Sequence, residues 1–294
     1  MSAPGSAKWA ILSVAPFAIF VIVFAAYPMV EMIRMSVSAV DIVDGQFAIT
    51  PTGLGNFREV FLDADAWHSM RVNAVFVAAS VVVSLVLGIA LAFVVDRSSI
   101  MHHIARNVLI WPAVVTPVVV SLVWLLVISP TAGGLNKFLE YFGLPGQSWL
   151  NSESGALASA IGVDVWHWTP IVFLFTYTAL TNIDREVVQA ARVDGASEWQ
   201  VRRLIMLPMI RGTLIGLLLV RVVQGVKAFD EIYLLTQGGP NGATELISLY
   251  IRTVFFDRLE YGYASALSLT VVIITVAIVG ISVGVRQLRK KGAR

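Results

Sequence analysis

VFVAASVVVSLVLGIALAFVV, Val75 to Val95, runs for 21 residues without a charged or amide side chain. At a rise of about 1.5 Å per residue, such a stretch crosses a hydrocarbon core of about 30 Å as a helix. A membrane β-strand would alternate apolar and polar side chains over roughly ten residues; this run does not alternate, so it reads as a spanning helix. Five further stretches share the property, and the expected spans are about Ala10 to Met32, Val72 to Val95, Asn107 to Ile128, Ala156 to Leu180, Thr213 to Leu235 and Ala264 to Val285. Composition agrees: 57% of the residues are hydrophobic and 14% charged, against about a quarter charged in soluble domains. The expectation is an all-α membrane protein, one transmembrane domain over residues 1–294 with six transmembrane helices and both termini on one side.

Orientation follows from Lys and Arg, which accumulate in short cytoplasmic loops. Thirteen of the 21 basic residues fall on the side of the termini: Lys8, Arg97, Arg106, Arg185, Arg192, Arg202, Arg203, Arg211, Arg286, Arg289, Lys290, Lys291 and Arg294. The other side holds Arg58, Arg71, Lys137, Arg252 and Arg258 amid Asp41, Asp44, Asp63 and Asp65. Both termini and the loop at 181–212 are therefore expected in the cytoplasm, in a multi-pass protein of the plasma membrane. The first apolar run is longer than a signal-peptide core and no small-residue cleavage pattern follows, so it reads as a retained span. The absence of cysteine removes disulfides, thiolate catalysis and Cys-ligated metals. His102 and His103, adjacent in a basic loop, point about 100° apart on a helix and read as solvated.

The outer segment Ser36 to Arg71 carries turn signals at Asp44-Gly45 and Thr50 to Gly53 but no apolar run long enough for a core. In the second outer loop, Leu135, Phe138, Leu139 and Phe142 recur at helical spacing and predict a short capping helix. Pro16, Pro28, Pro112, Pro117 and Pro170 lie in or at the ends of spans, where each removes a backbone donor. Trp111, Trp124, Trp149 and Trp199 read as interface anchors.

Between the fourth and fifth spans stands a charged island, QAARVDGASEWQVRRLIMLP, Gln189 to Pro208. Charge of this density belongs in water. Arg185 to Val193 favour a helix, Asp194-Gly195 ends it, and Ser197 with Gln200 forms a capping box for a second short helix. Ala190 and Ala191 leave a smooth spot ringed by Glu186, Arg192, Asp194 and Glu198, which is how a docking surface is built. An amphipathic hairpin lying on lipid headgroups fits the same pattern, so the residues alone leave both readings open.

The island resembles the signature of permease subunits of bacterial ATP-binding-cassette importers: Gln189, Ala190, Ala191, Asp194, Gly195, Ala196, Ser197, Leu207 and Pro208 match in register. The first position, usually Glu, is Gln189 here. The resemblance implies a type I ABC importer permease fold in which residues 186–208 form a coupling-helix loop. That loop would dock on a cytoplasmic ATPase through Glu186, Gln189, Ala190, Ala191, Arg192, Asp194, Gly195, Ala196 and Ser197. The chain holds no G-x-x-x-x-G-K-[ST] segment, so it is read as no enzyme and as binding no cofactor, with ATP and Mg on the partner ATPase.

A second stretch, FDEIYLLTQGGPNGATELISLYIRTVFF, Phe229 to Phe256, resembles sugar permeases of the maltose and glycerol-phosphate type, as does Tyr261 to Ser268. This resemblance implies a second homologous permease, two copies of the ATPase, an extracytoplasmic sugar-binding protein and alternating-access import. Polar groups inside a span are functional candidates because each is costly in hydrocarbon. Asp164, His167 and Trp168 share a helical face in span four, and Arg221, Gln224 and Ala228 share one in span five, with Lys227, Asp230 and Glu231 nearer the outside. An aromatic platform with carboxylate, amide and guanidinium groups suits a sugar. In register with the island, Asp164, His167, Trp168, Arg221, Gly225 and Ala228 match positions where maltose-type permeases hold sugar. The substrate-binding candidates are thus Asp164, His167, Trp168, Arg221, Gln224, Gly225, Lys227 and Ala228, for a disaccharide or oligosaccharide. Glycerol-phosphate is the alternative, since Arg221 and Lys227 suit an anion. Arg221 paired with a partner permease's carboxylate, and His167 and Trp168 as plain packing, is the bland reading. A rival of another class is an ion-coupled transporter using Asp164, Arg221 and Asp230 as a charge relay.

Overall fold

The computed structural model describes residues 6–95, 111–131 and 133–291. Helix α1 (Ser6–Val21) runs through a π turn at Ile22–Ala26 into α2 (Tyr27–Ser36). The π turn stands directly before Pro28, whose ring lacks a donor and crowds the carbonyl one turn back; widening the turn absorbs both. Strands β1 (Ser38–Val43) and β2 (Gln46–Pro51) pair antiparallel with Val43 opposite Gln46. Asp44 and Gly45, at φ 51° and 75°, form the two-residue reversal, the backbone that matches strand twist in a tight hairpin. The turn was legible from Asp44-Gly45 and the strands were not, because a two-stranded ribbon needs no core of its own.

Helices α3 (Gly55–Leu62) and α4 (Ala64–Val95) follow. The second span starts at Ala64 rather than near Val72, since the polar stretch 64–71 extends the same helix beyond its apolar run. In the third span, α5 (Trp111–Val114) and α6 (Pro117–Val127) are separated at Val115–Thr116, where Pro117 forbids the preceding residue helical geometry. The expected start of that span at 107–110, and Arg97, His102, His103 and Arg106, lie outside the described residues. The capping helix is α7 (Gly134–Tyr141), and α8 (Glu153–Thr181) is the fourth span.

The island folds as α9 (Arg185–Val193) and a single turn, α10 (Glu198–Gln200), which continues through a π turn at Val201–Met206 into α11 (Leu207–Val226). The second island helix is therefore not a separate element. It is the first turn of a continuous 29-residue helix, Glu198–Val226, which begins well before the apolar run expected from Thr213. The π turn again stands just before a proline, Pro208. The span ends at Val226, not Leu235, and α12 (Asp230–Thr236) is a separate short helix. Next come α13 (Ile247–Arg252), a third π turn at Thr253–Asp257 and α14 (Tyr261–Lys291). Among the described residues, five helices are long and apolar enough to cross a membrane, with Pro117–Val127 a shorter apolar one.

The chain divides into two compact units, one made by the chain up to Trp67 together with that from Ile251 onward, the other by His68–Tyr250. In the first, α14 packs on α2, α3 and β1. Asn56 Nδ2 donates to the Ser36 and Ser38 carbonyls at 3.0 and 2.9 Å, and Tyr263 bonds Asp63. Gly262 has no room for a side chain, since a Cβ there would stand 2.3 Å from the Ser38 oxygen.

In the second unit, α4, α8 and α11 form the frame. Gly88 of α4 lies so close to α8 that a Cβ would come within 2.5 Å of Val172, and Gly225 of α11 brings its backbone onto Val77 of α4. One apolar cluster, with Ala92, Phe93, Phe173, Leu180, Met206 and Ile210, closes the end that carries the island. Another, with Phe76, Val81, Ala160, Ile232 and Leu249, closes the opposite end.

Candidate functional site

Between these clusters the frame holds a seam of buried polar groups. Arg221 Nη2 donates to Asp164 Oδ2 at 2.5 Å, and the two side chains are 1% and 2% exposed. Arg221 Nε donates to Ser84 Oγ at 3.3 Å, so the guanidinium links α11, α8 and α4. Its carbon lies 5.1 Å from the centre of the Trp168 ring, close enough for a cation–π contact. One helical turn from Asp164, His167 Nδ1 bonds the Glu231 carboxylate of α12. The rings of His167 and Trp168 are 5.5 Å apart. Charges at this depth persist because each has an opposite charge or a hydrogen-bond partner.

Beside the seam opens a cavity of about 220 Å³ lined by Asp164, Trp168, Gln224, Lys227, Ala228, Phe229, Asp230 and Glu231, with Pro117. Trp168, Gln224 and Ala228 are half-buried, while Lys227 and Asp230 are exposed. The structure thus brings together Asp164, Trp168, Gln224, Lys227 and Ala228 on one cavity wall. The other three expected contact residues stand behind it. Arg221 is covered by Asp164 and Trp168, His167 backs Glu231, and Gly225 is buried against Val77, where its lack of a side chain permits close helix packing. Arg221 pairs within its own chain through Nη2 and Nε, and its Nη1 is buried without a partner among the described residues. Glu231, Phe229 and Ser84 belong to the site without having been singled out for it. A second acid directly after Asp230 was the available signal for Glu231, whereas a serine in an apolar span gave none for Ser84.

At the other end of α11 the island forms an elbow. Asp184 caps α9 by accepting from the Glu186 amide at 2.9 Å. The chain leaves α9 through Gly195 at φ +85°, with the Ala196 amide bonded back to Ala191 at 3.0 Å. Ser197 and Gln200 form the expected capping box, and Arg192 Nε bonds Glu198 Oε1 at 2.8 Å. The two alanines of the smooth spot part company: Ala190 is exposed, while Ala191 turns inward with Val188 and Ala196 onto the apolar cluster. Arg192 and Glu198 engage one another, so the free rim consists of Glu186, Gln189 and Asp194. Val193 and Trp199, 87% and 67% exposed, add apolar surface to the elbow.

Elsewhere in the second unit an apolar cavity of about 600 Å³ opens between Leu87, Trp111, Val115, Trp166 and Phe173. Trp124 and Trp166 meet edge to face at 5.7 Å, and Trp149 donates to Asn136 at 2.8 Å, so two of the expected interface anchors are packing residues.

Residues 84–290 match the family model described as "Binding-protein-dependent transport system inner membrane component". The trehalose transport system permease protein SugA of Mycobacterium tuberculosis is 30% identical over 267 residues, 90% of this chain and 84% of that protein. The trehalose/maltose transport system permease protein MalF of Thermococcus litoralis is 30% identical over 79% of this chain and 79% of its own. A chain of the bacterial alginate ABC transporter, solved with an alginate pentasaccharide-bound periplasmic protein, superposes with a TM-score of 0.82 at 21% identity, covering 94% of this chain and 93% of that one; at that identity the likeness speaks for the fold. With the family model covering most of the chain, this is a multi-pass membrane protein and a permease subunit: it belongs to the family of inner membrane components of binding-protein-dependent transport systems.

Proposed function

We propose that the chain is one half of the translocation path of an ATP-driven importer for a disaccharide or oligosaccharide. In this reading it spans the plasma membrane six times with both termini in the cytoplasm. It pairs with a second, similar permease, docks two cytoplasmic ATPase subunits that hold ATP and Mg, and receives sugar from an extracytoplasmic binding protein. One observation carries the proposal. A single helix, Glu198–Val226, has the elbow at one end and cavity residues at the other. Its 29 residues extend for about 43 Å at the α-helical rise, so a push on the elbow is delivered to the cavity without an intervening hinge loop.

The elbow is suited to receive that push. Its fold is closed by local caps, one face is anchored on the apolar cluster, and the other presents Gln189, Ala190, Val193 and Gly195 to water. The cavity is suited to a sugar, with an indole face for C–H groups and carboxylate, amide and ammonium groups for hydroxyls. The names of relatives that carry trehalose and maltose support the same class. Family membership leaves the ion-coupled rival without support, and Asp164 and Arg221, buried and paired with each other, are poorly placed for a relay.

The test is ATP hydrolysis by the assembled complex in proteoliposomes, across trehalose, maltose, lactose, glycerol-phosphate and amino acids, each with its binding protein. Stimulation by a neutral saccharide is expected. A response confined to amino acids or glycerol-phosphate overturns the substrate class, and an elbow found facing the exterior overturns the proposal.

A further inference from the structure

We infer that Glu231 is the residue by which this cavity selects neutral, hydroxyl-bearing solutes over anionic ones, and that His167 is the positioning residue that aims it. The inference rests on the carbohydrate reading above and adds a residue and a selectivity to it.

Glu231 is unusual among the cavity's charged groups. Its side chain is 9% exposed, yet it lines the cavity. One contact holds its carboxylate: His167 Nδ1 donates to Oε1. Among the described residues, His167 is the one hydrogen-bond partner of this carboxylate, so Oε2 keeps its acceptor sites for whatever enters the cavity. A carboxylate offers about four lone-pair directions and no donor. Sugar hydroxyls donate, and a hydrogen bond to an ionised acceptor is roughly twice as strong as one between neutral groups.

The charge arrangement gives the selectivity its sign. Asp164 is matched by Arg221 at 2.5 Å. Lys227 and Asp230, exposed and of opposite charge, line the same cavity and offset one another. Of the two buried acids on the wall, Glu231 is the one held by an imidazole hydrogen bond rather than by a guanidinium. The group that could have welcomed an anion, Arg221, is 1% exposed, gives Nη2 to Asp164 and Nε to Ser84, and sits under the Trp168 ring, with Nη1 buried and closed off from the cavity. A uronate or phosphorylated sugar would therefore place its charge against Glu231 at low effective dielectric, where like charges repel strongly. A neutral pyranose instead stacks on Trp168 and donates to Oε2.

The test uses the full transporter in proteoliposomes with radiolabelled trehalose, maltose and lactose as probes and digalacturonate as anionic competitor. In the substituted complex, Glu231→Gln keeps the shape and loses the charge. It should raise the KM of the transported sugar about tenfold, far more than it lowers the maximal rate, and strengthen inhibition by digalacturonate by a similar factor. His167→Ala should raise KM comparably, and His167→Asn, whose amide can donate from nearly the same place as Nδ1, should restore it. If the wild-type complex takes up sugar but Glu231→Gln leaves KM and the digalacturonate response unchanged, or if all three variants lower only the maximal rate, the inference is wrong while the carbohydrate reading survives. If the wild-type complex takes up no saccharide, both fall.

Discussion

The elbow and the polar seam sit at opposite ends of one helix and are built by opposite means. The elbow is exposed and self-sufficient. Its caps, its glycine reversal and its Arg192–Glu198 bridge all close within the stretch 184–200. The seam is buried and collective: Asp164, His167, Arg221 and Glu231 come from three helices, and the two bonds join residues 57 and 64 positions apart. Local motifs of this kind survive the loss of any one contact, because water replaces the missing partner. A buried ion pair does not, because an abandoned charge has nowhere to go.

The largest effect expected from this contrast comes from splitting the seam. Arg221→Leu leaves Asp164 without its guanidinium, and a cost of about 3–5 kcal/mol is expected for such an orphaned charge. Thermal unfolding of the purified complex should show it as lost assembly, and Arg221→Leu combined with Asp164→Leu should recover assembly without recovering sugar uptake. A double variant no more stable than the single one would show that the seam is not a pair. Next is the helix contact beneath it. Gly88→Val pushes a branched side chain onto Val172, whose Cγ1 is already 2.5 Å from an added Cβ, and overpacking of this kind costs about 1–3 kcal/mol, read as a lower unfolding temperature.

At the elbow the effects shrink in stability and grow in function. Gly195→Val places a branched residue at φ +85°, where a backbone penalty of about 1–2 kcal/mol is expected. The fold should survive while ATPase co-purification and sugar-stimulated hydrolysis fall, since the nearby space is open and the strain is local. Ser197→Ala removes half of a capping box and should cost about 1 kcal/mol, visible as faster hydrogen exchange of residues 198–201. The smallest is Arg192→Ala, which breaks an ion pair between side chains 51% and 47% exposed; such pairs contribute about 0.2–1 kcal/mol and fade in high salt. A loss of assembly from Arg192→Ala as large as that from Arg221→Leu would erase the distinction between the two regions.

Legibility in the sequence follows the same line. The capping box at Ser197 and Gln200, the reversal at Gly195 and the turn at Asp44-Gly45 were readable because each is set by residues within a few positions. The helical face shared by Asp164, His167 and Trp168 was readable from spacing, and so was the face of Arg221 and Gln224. Which residues of those faces bond each other was not, because spacing fixes an angle about one helix axis and says nothing about the neighbour's height or rotation. Arg221 thus pairs with Asp164 behind the cavity, while Glu231, placed nearer the outside by spacing, stands on the wall. Helix ends were misjudged for a related reason. Apolar runs mark where lipid contact begins, whereas α4 and the Glu198–Val226 helix continue into polar sequence because backbone hydrogen bonding does not stop at the edge of the apolar run.

By itself the sequence determined that this chain is a helical membrane protein with a polar elbow between two spans, because hydrocarbon tolerates only internally bonded backbone and excludes dense charge. Only the tertiary structure decided which intramembrane charges neutralise one another and which face the cavity. That outcome depends on distances between helices far apart in sequence, and at such depth a displacement of a few ångströms separates a satisfied pair from an exposed ligand.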